Sequence, residues 1–271
     1  MIIVYSRKWK NIQYSTKMGS YTKKEKGVKI FMRTFEEIFE ELARYNDRSV
    51  IWNDWLDYVI RINLLYCNEE PPNYHGNEEA YQDLLGAYLN KLSEILNTEP
   101  YYDLLGELYE QVVLSQGKSK QLGQYYSPTC VAEVTTDLVM RDKTFEDNSD
   151  KIANDCACGS GRMLLATHVK SKGDLFLVGQ DIDETSVKMC TINFWSMGAR
   201  GSVMQMDSLE QTFYQGWRVN KYLYHGIPVP HIEKIHSSKE ALDFIELYGN
   251  NNDERIVAKS TVKPSGQTTL I

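Results

Sequence analysis

From residue 34 to about residue 117, apolar positions recur every three to four residues, the period of a helix with one face in a core. Thr34, followed by Glu37, predicts a capping box, and Phe35, Ile38, Phe39 and Leu42 continue it at helical spacing. A second helix is expected from Arg48 to Tyr66, with Trp52, Trp55, Leu56, Val59 and Ile62 turned inward, and Pro71-Pro72 forbids its continuation. Asn77 caps a third helix carrying Tyr81, Leu84, Leu85, Tyr88, Leu89, Leu92 and Leu96. Thr98, with Pro100 in the first turn, opens a fourth through Leu104, Leu105, Leu108, Val112 and Val113, ending near Gly117. Residues 31–117 therefore read as an all-helical domain whose aromatic stripe is core.

Past Gly117-Lys118-Ser119-Lys120, a candidate linker, the pattern changes. Ser127-Pro128 starts a helix expected to bury Val131, Val134, Leu138 and Val139. Short apolar runs then each close on an acid: Ile152-Ala153 before Asp155, Leu175 to Val178 before Asp181, and Val203 to Met206 before Asp207. Between the first two lie small residues from Cys156 to Gly161 and a helix-forming run, Arg162 to His168. Between the second and third, Asp183 caps a helix with Val187, Cys190, Phe194 and Met197 inward, closed by Gly198. Strand, helix, strand, helix, strand predicts a parallel sheet covered on both faces.

The chemistry sits at the first turn. Strand, tight small-residue loop and helix make up the local grammar of a nucleotide-type cofactor site. Gly159 and Gly161 permit positive φ and let a ligand lie on bare backbone, with Ala157 and Ser160 beside them. A pyrophosphate here would be repelled by Asp155, and Leu164 stands where G-x-G-x-x-G needs its third glycine. A ligand carrying an ammonium and a sulfonium is instead attracted. Asp181, followed by Ile182, lies where an acid accepts hydrogen bonds from ribose hydroxyls, and Asp207-Ser208 ends the third strand. S-adenosylmethionine fits this set better than NAD.

Gly123-Gln124-Tyr125-Tyr126-Ser127-Pro128, then Asp155 to Gly161, then Gly179-Gln180-Asp181-Ile182-Asp183, then Met206-Asp207-Ser208-Leu209 resembles, in order, the motif series of N6-adenine DNA methyltransferases. The nearest resemblance is to the modification subunit of type I restriction-modification systems. It implies an α/β Rossmann-like, S-adenosylmethionine-dependent methyltransferase fold, and adenine methylation of DNA within a restriction-modification system. Tyr125, Ser127 and Pro128 would then form part of the wall around the methionine end of the cofactor. The family's Asn/Asp-Pro-Pro-Tyr/Phe, which clamps the flipped adenine, is not found after Asp207; Pro71-Pro72 is the only Pro-Pro and lies in the wrong domain. No catalytic residue is therefore assigned. A full sheet needs on the order of a hundred further residues, whereas 64 follow Asp207, so the target-base side is expected to be reduced.

Composition adds limits. The 271-residue chain carries a net charge of −7; its basic arm at 1–30 reads as a solvated tail in preference to a grip on phosphates, so DNA contact is expected to fall to a partner such as a specificity subunit. A protein partner or a homo-oligomer is expected. Five scattered cysteines suit a reducing, cytoplasmic setting, and no apolar run reaches membrane-span length. Cys156 and Cys158 read as small side chains lining a ligand rather than as zinc ligands, and His225, His231, Glu233 and His236 as surface residues rather than a metal cluster. The expected divisions are 1–30, 31–117, 118–215 for the cofactor domain, and 216–271 for a partly loose extension. Three alternatives stand beside the enzyme: a degenerate relative in assembly or regulation, a dinucleotide-dependent enzyme, and a helical interaction module.

Overall fold

The computed structural model describes residues 33–67, 70–114, 128–141, 152–224, 227–242, 247–248 and 269–270. The basic arm, the proposed linker, Tyr125, Ser127 and His225 lie outside them.

Four helices open the described chain: α1 (Phe35–Leu42), α2 (Arg48–Ile62), α3 (Glu78–Ile95) and α4 (Leu104–Tyr109), the last running into a π-helical turn, Glu110–Leu114. The Thr34–Glu37 capping box forms, and Asn77 accepts the Ala80 N–H at 2.7 Å. Phe35 packs edge-on against Trp55, with ring centroids 5.1 Å apart, and Trp52, Tyr88 and Tyr109 extend the aromatic cluster. Two boundaries differ from expectation. The fourth helix starts at Leu104 with Asp103 as its cap, not at Thr98. α2 stops at Ile62, which is 47% exposed rather than inward.

The rest is α/β. α5 (Thr129–Met140) precedes β1 (Ile152–Asp155), α6 (Arg162–Lys170), β2 (Phe176–Asp181), α7 (Glu184–Met197), β3 (Gly201–Asp207) and β4 (Thr212–Val219). Short strands follow: β5 (Leu223–Tyr224), β6 (Ile227–Pro228), β7 (Ile232–Ile235), β8 (Leu247–Tyr248) and β9 (Thr269–Leu270). Among the described residues the main sheet has the order β7-β4-β3-β2-β1-β9. β1, β2 and β3 are parallel, as is β9 beside β1, whereas β4 pairs antiparallel with β3 and β7 antiparallel with β4. The sheet is therefore mixed, and beyond β3 it continues as a hairpin instead of another helix-covered crossover.

α5 corrects a face. Val131, Val134 and Leu138 are 47%, 59% and 67% exposed, while Ala132, Thr136 and Met140 are buried. Small residues let this helix lie close on α6, so its larger aliphatics turn outward.

α7 is buried at every position from Ser186 to Met197. Such a helix has cover on all sides: the sheet lies beneath it, and the N-terminal helices above. Lys188 on α7 reaches Asp57 on α2 at 2.8 Å and its own neighbour Glu184 at 2.7 Å. Thr185 donates to Asn53 at 3.0 Å, and the Tyr88 and Ser196 hydroxyls lie 3.1 Å apart. One apolar core runs from Phe35 through α7 to Ile232.

Candidate cofactor site

Because β1, β2 and β3 are parallel, Asp155, Asp181 and Asp207 emerge at the same end of the sheet. The loop after β1 turns tightly there. Gly159 has φ 53° and Gly161 φ 90°, and the Gly161 N–H donates to the Cys158 carbonyl at 2.8 Å. The Cys158 N–H reaches across to the Gln180 carbonyl on β2 at 2.9 Å. A tetrahedral side chain is excluded at Gly161 twice over, by its φ and by Cys190 Sγ 2.6 Å from where a Cβ would stand.

Asp155 is 8% exposed. Its Oδ1 accepts the Ala157 N–H at 3.1 Å, and among the described residues no lysine, arginine or histidine pairs with it. Burial pushes its pKa up against the effect of that N–H, and the Asp181 charge pushes the same way. Cys156 and Ala157, just beyond, are exposed and form the lip of the turn. A desolvated carboxylate with a second one nearby and no cation suits a positively charged ligand, because the ligand would supply the missing counter-charge. The residues present thus fit the sulfonium cofactor expected from the sequence.

Asp181 accepts the Gly159 N–H at 2.8 Å on Oδ2 and the Asp183 N–H at 2.9 Å on Oδ1. Ile182 beside it is 61% exposed. Asp207 Oδ1 accepts from Leu209 and Glu210 N–H at 2.9 and 3.0 Å. Ser208 Oγ lies 3.1 Å from the Cys156 carbonyl and 2.9 Å from Gln180 Oε1, joining the three strand ends. Ser160 is 1% exposed and donates to Asp103, and Gly161 is packed on Cys190, so both shape the turn from behind rather than line its open side. Pro128 is exposed at the start of α5.

Asp103 is the residue that sequence reading missed. It caps α4 and at the same time holds the glycine loop, which no local pattern signals. His231 is buried and not at the surface: Nδ1 donates to the Val229 carbonyl at 2.7 Å, and Nε2 accepts the Lys221 N–H at 3.2 Å. Cys158 is buried against Cys190, and the contact with that thiol, then its own burial, push the Cys158 thiol well up. A separate cleft of 540 Å³ lies between α2 and β4–β7, lined among others by Arg61, Tyr74, Trp217 and Lys234. It contains none of the strand-end acids and no glycine backbone.

The model of the N-6 DNA methylase family matches residues 101–222. The chain is 31% identical over 187 residues to the type I restriction enzyme MjaVIII methylase subunit of Methanocaldococcus jannaschii, covering 61% of this chain and 31% of that protein. It is 26% identical over 171 residues to the ribosomal protein L11 methyltransferase of Fusobacterium nucleatum, covering 62% of this chain and 45% of that one. The chain thus spans less than half the length of either relative. The matched segment begins two residues before Asp103 and ends beyond β4, so it takes in the loop and all three acids. Through this segment, the chain is similar to the N-6 DNA methylase family.

Proposed function

We propose that the chain binds S-adenosylmethionine and forms the cofactor half of an adenine-N6 DNA methyltransferase of the type I modification kind. The observation that carries this reading is the buried Asp155 carboxylate, without a cationic partner among the described residues, beside the Gly159 backbone at the end of a parallel strand. In this reading β1–α6–β2–α7–β3 is a Rossmann-like unit, and the helices from Phe35 to Leu114 are an N-terminal helical domain docked on its α7. Asp155, Ala157 and Gly159 face the methionine and sulfonium side, and Pro128, with Tyr125 and Ser127 outside the described residues, is assigned to the wall around the methionine end. Asp181 and Ile182 meet the ribose and one face of the adenine, and Asp207 with Ser208 closes the far end. The bound cofactor supplies an electrophilic methyl group; the chain's own residues bind and orient it.

DNA is the proposed methyl acceptor, reached with the help of a specificity subunit, since the chain is acidic overall. No helix among the described residues is long and apolar enough to cross a membrane, in keeping with a proposed cytoplasmic site of action. Calorimetric titration with S-adenosylmethionine and, separately, NAD tests the reading: heat with the former alone is expected, and binding of NAD alone overturns it.

A second reading has its own support. The sequence holds no Asn/Asp-Pro-Pro-Tyr/Phe, and among the described residues β1 is flanked on its outer side by Thr269 and Leu270 alone. A relative that binds the cofactor and serves in assembly or regulation would look like this. Transfer of labelled methyl to unmethylated DNA separates the two, and this chain by itself is expected to transfer little.

A further inference from the structure

The glycine loop is held from behind by one carboxylate of the helical region. Asp103 is 5% exposed and accepts the Gly106 N–H at 2.9 Å as the cap of α4. The same carboxylate accepts the Ser160 hydroxyl at 2.5 Å and both Nε and Nη2 of Arg162 at 3.0 Å. Asn193 on α7 closes a ring. Its amide donates to Asp103 Oδ1 at 2.8 Å and to the Ser160 carbonyl at 2.9 Å. Ser160 is thereby fixed at its hydroxyl and at its carbonyl, and Arg162, the first residue of α6, at its guanidinium. The turn that follows Gly159 can rotate only if this ring opens.

Gly106 makes the ring possible. A Cβ there would stand 2.3 Å from Asp103 Oδ2 and 2.9 Å from Ser160 Oγ. The glycine therefore leaves room for the hydroxyl to reach the carboxylate, an independent sign that the approach is built in.

We propose that Asp103 is a positioning residue for the cofactor loop, through which the N-terminal helices set the shape of the turn at residues 158–162; this rests on the reading of that turn as the S-adenosylmethionine site. Asp103 does not line the open side of the turn. It acts through Ser160, Arg162 and Asn193. Hydrogen bonds to a charged, buried acceptor are strong, and breaking them leaves buried groups unsatisfied, so the loop is expected to lose its fixed form before the fold is lost.

Two measurements on the full chain test this: amide hydrogen exchange at 158–162 without ligand, and the Kd for S-adenosylmethionine below the unfolding transition of every variant. Asp103→Asn and Gly106→Ala are expected to speed exchange at the loop and to weaken binding about tenfold, the size of one lost charged hydrogen bond. Tyr88→Phe, which removes the contact with Ser196 elsewhere on α7, is expected to lower Tm and leave both readouts alone. If Asp103→Asn does not fold, Ser160→Ala removes one donor while keeping the α4 cap and is read the same way. Unchanged loop exchange and unchanged Kd in folded variants overturn the proposal. Should the wild-type chain not bind S-adenosylmethionine, the functional reading falls, while the exchange measurement still decides whether Asp103 holds the turn.

Discussion

The Asp181 carboxylate accepts the Gly159 N–H at 2.8 Å, so the acid ending β2 clamps the loop that follows β1. Its second oxygen takes the Asp183 N–H at 2.9 Å, which also fixes the entry to α7. Asp181→Ala is expected to release both loops and to weaken S-adenosylmethionine binding by about 1.5–3 kcal/mol, as for hydrogen bonds to a charged group. Calorimetry checks this, and an unchanged Kd would remove Asp181 from the site.

Asp155 predicts a pH dependence. Burial raises its folded-state pKa above the unfolded value. In the ligand-free protein its contribution to stability is present below the unfolded pKa and is lost as pH rises through the folded one. A cationic ligand needs the ionised form. Binding should therefore strengthen as pH rises through the raised pKa, the window in which the free protein weakens. Asp155→Asn should bind weakly with no such slope. Titrations at several pH values decide it, and a wild-type affinity flat across the acidic range would count against the pairing.

Gly161→Ala is expected to cost about 2–4 kcal/mol, combining left-handed strain with overpacking. The second part arises from Cys190 Sγ, 2.6 Å from the new methyl. The Gly161→Ala/Cys190→Ala pair should thus be less destabilised than the sum of the single variants, with a coupling on the order of 1 kcal/mol. Denaturant unfolding of the four proteins measures it, and strict additivity would show that the strain lies in the backbone alone.

His168 is buried on α6 and its pKa is lowered to about 4, first by burial and then by the Arg200 charge. The sign is that of a depressed base: its stability is present above the unfolded pKa and is lost as pH falls toward the folded value. About 3 kcal/mol is at stake between pH 6.5 and 4 as an upper bound. His168→Gln should flatten the acid limb of a stability-against-pH curve recorded by thermal unfolding.

The parts of the fold that were legible in the sequence are those fixed by near neighbours. The Thr34 capping box, the Asn77 and Asp183 caps, the Gly198 terminus and the three apolar runs ending on acids are set within a few residues of one another. What escaped depends on distant chain. α2 ends at Ile62 because the next residues turn to pair with Ile232, far along the sequence. The α5 face was misjudged because hydropathy favoured its valines and leucine, whereas close packing on α6 favoured Ala132 and Thr136. Thr212–Val219 carries no clean alternation of apolar and polar residues, yet it extends the sheet antiparallel to β3. At the site, the acids and glycines could be read from type and spacing. The bond from the Ser160 hydroxyl to Asp103 could not, because the two residues are 57 positions apart.

The segment after α2 has one more effect. The Leu65 N–H meets the Ile232 carbonyl and the Ile232 N–H meets the Asn63 carbonyl, each at 3.0 Å, so the outer rim of β7 is already occupied at its first residue. A stretch that follows a helix far back in the chain thus shortens the open edge that the outermost strand would present to a further strand.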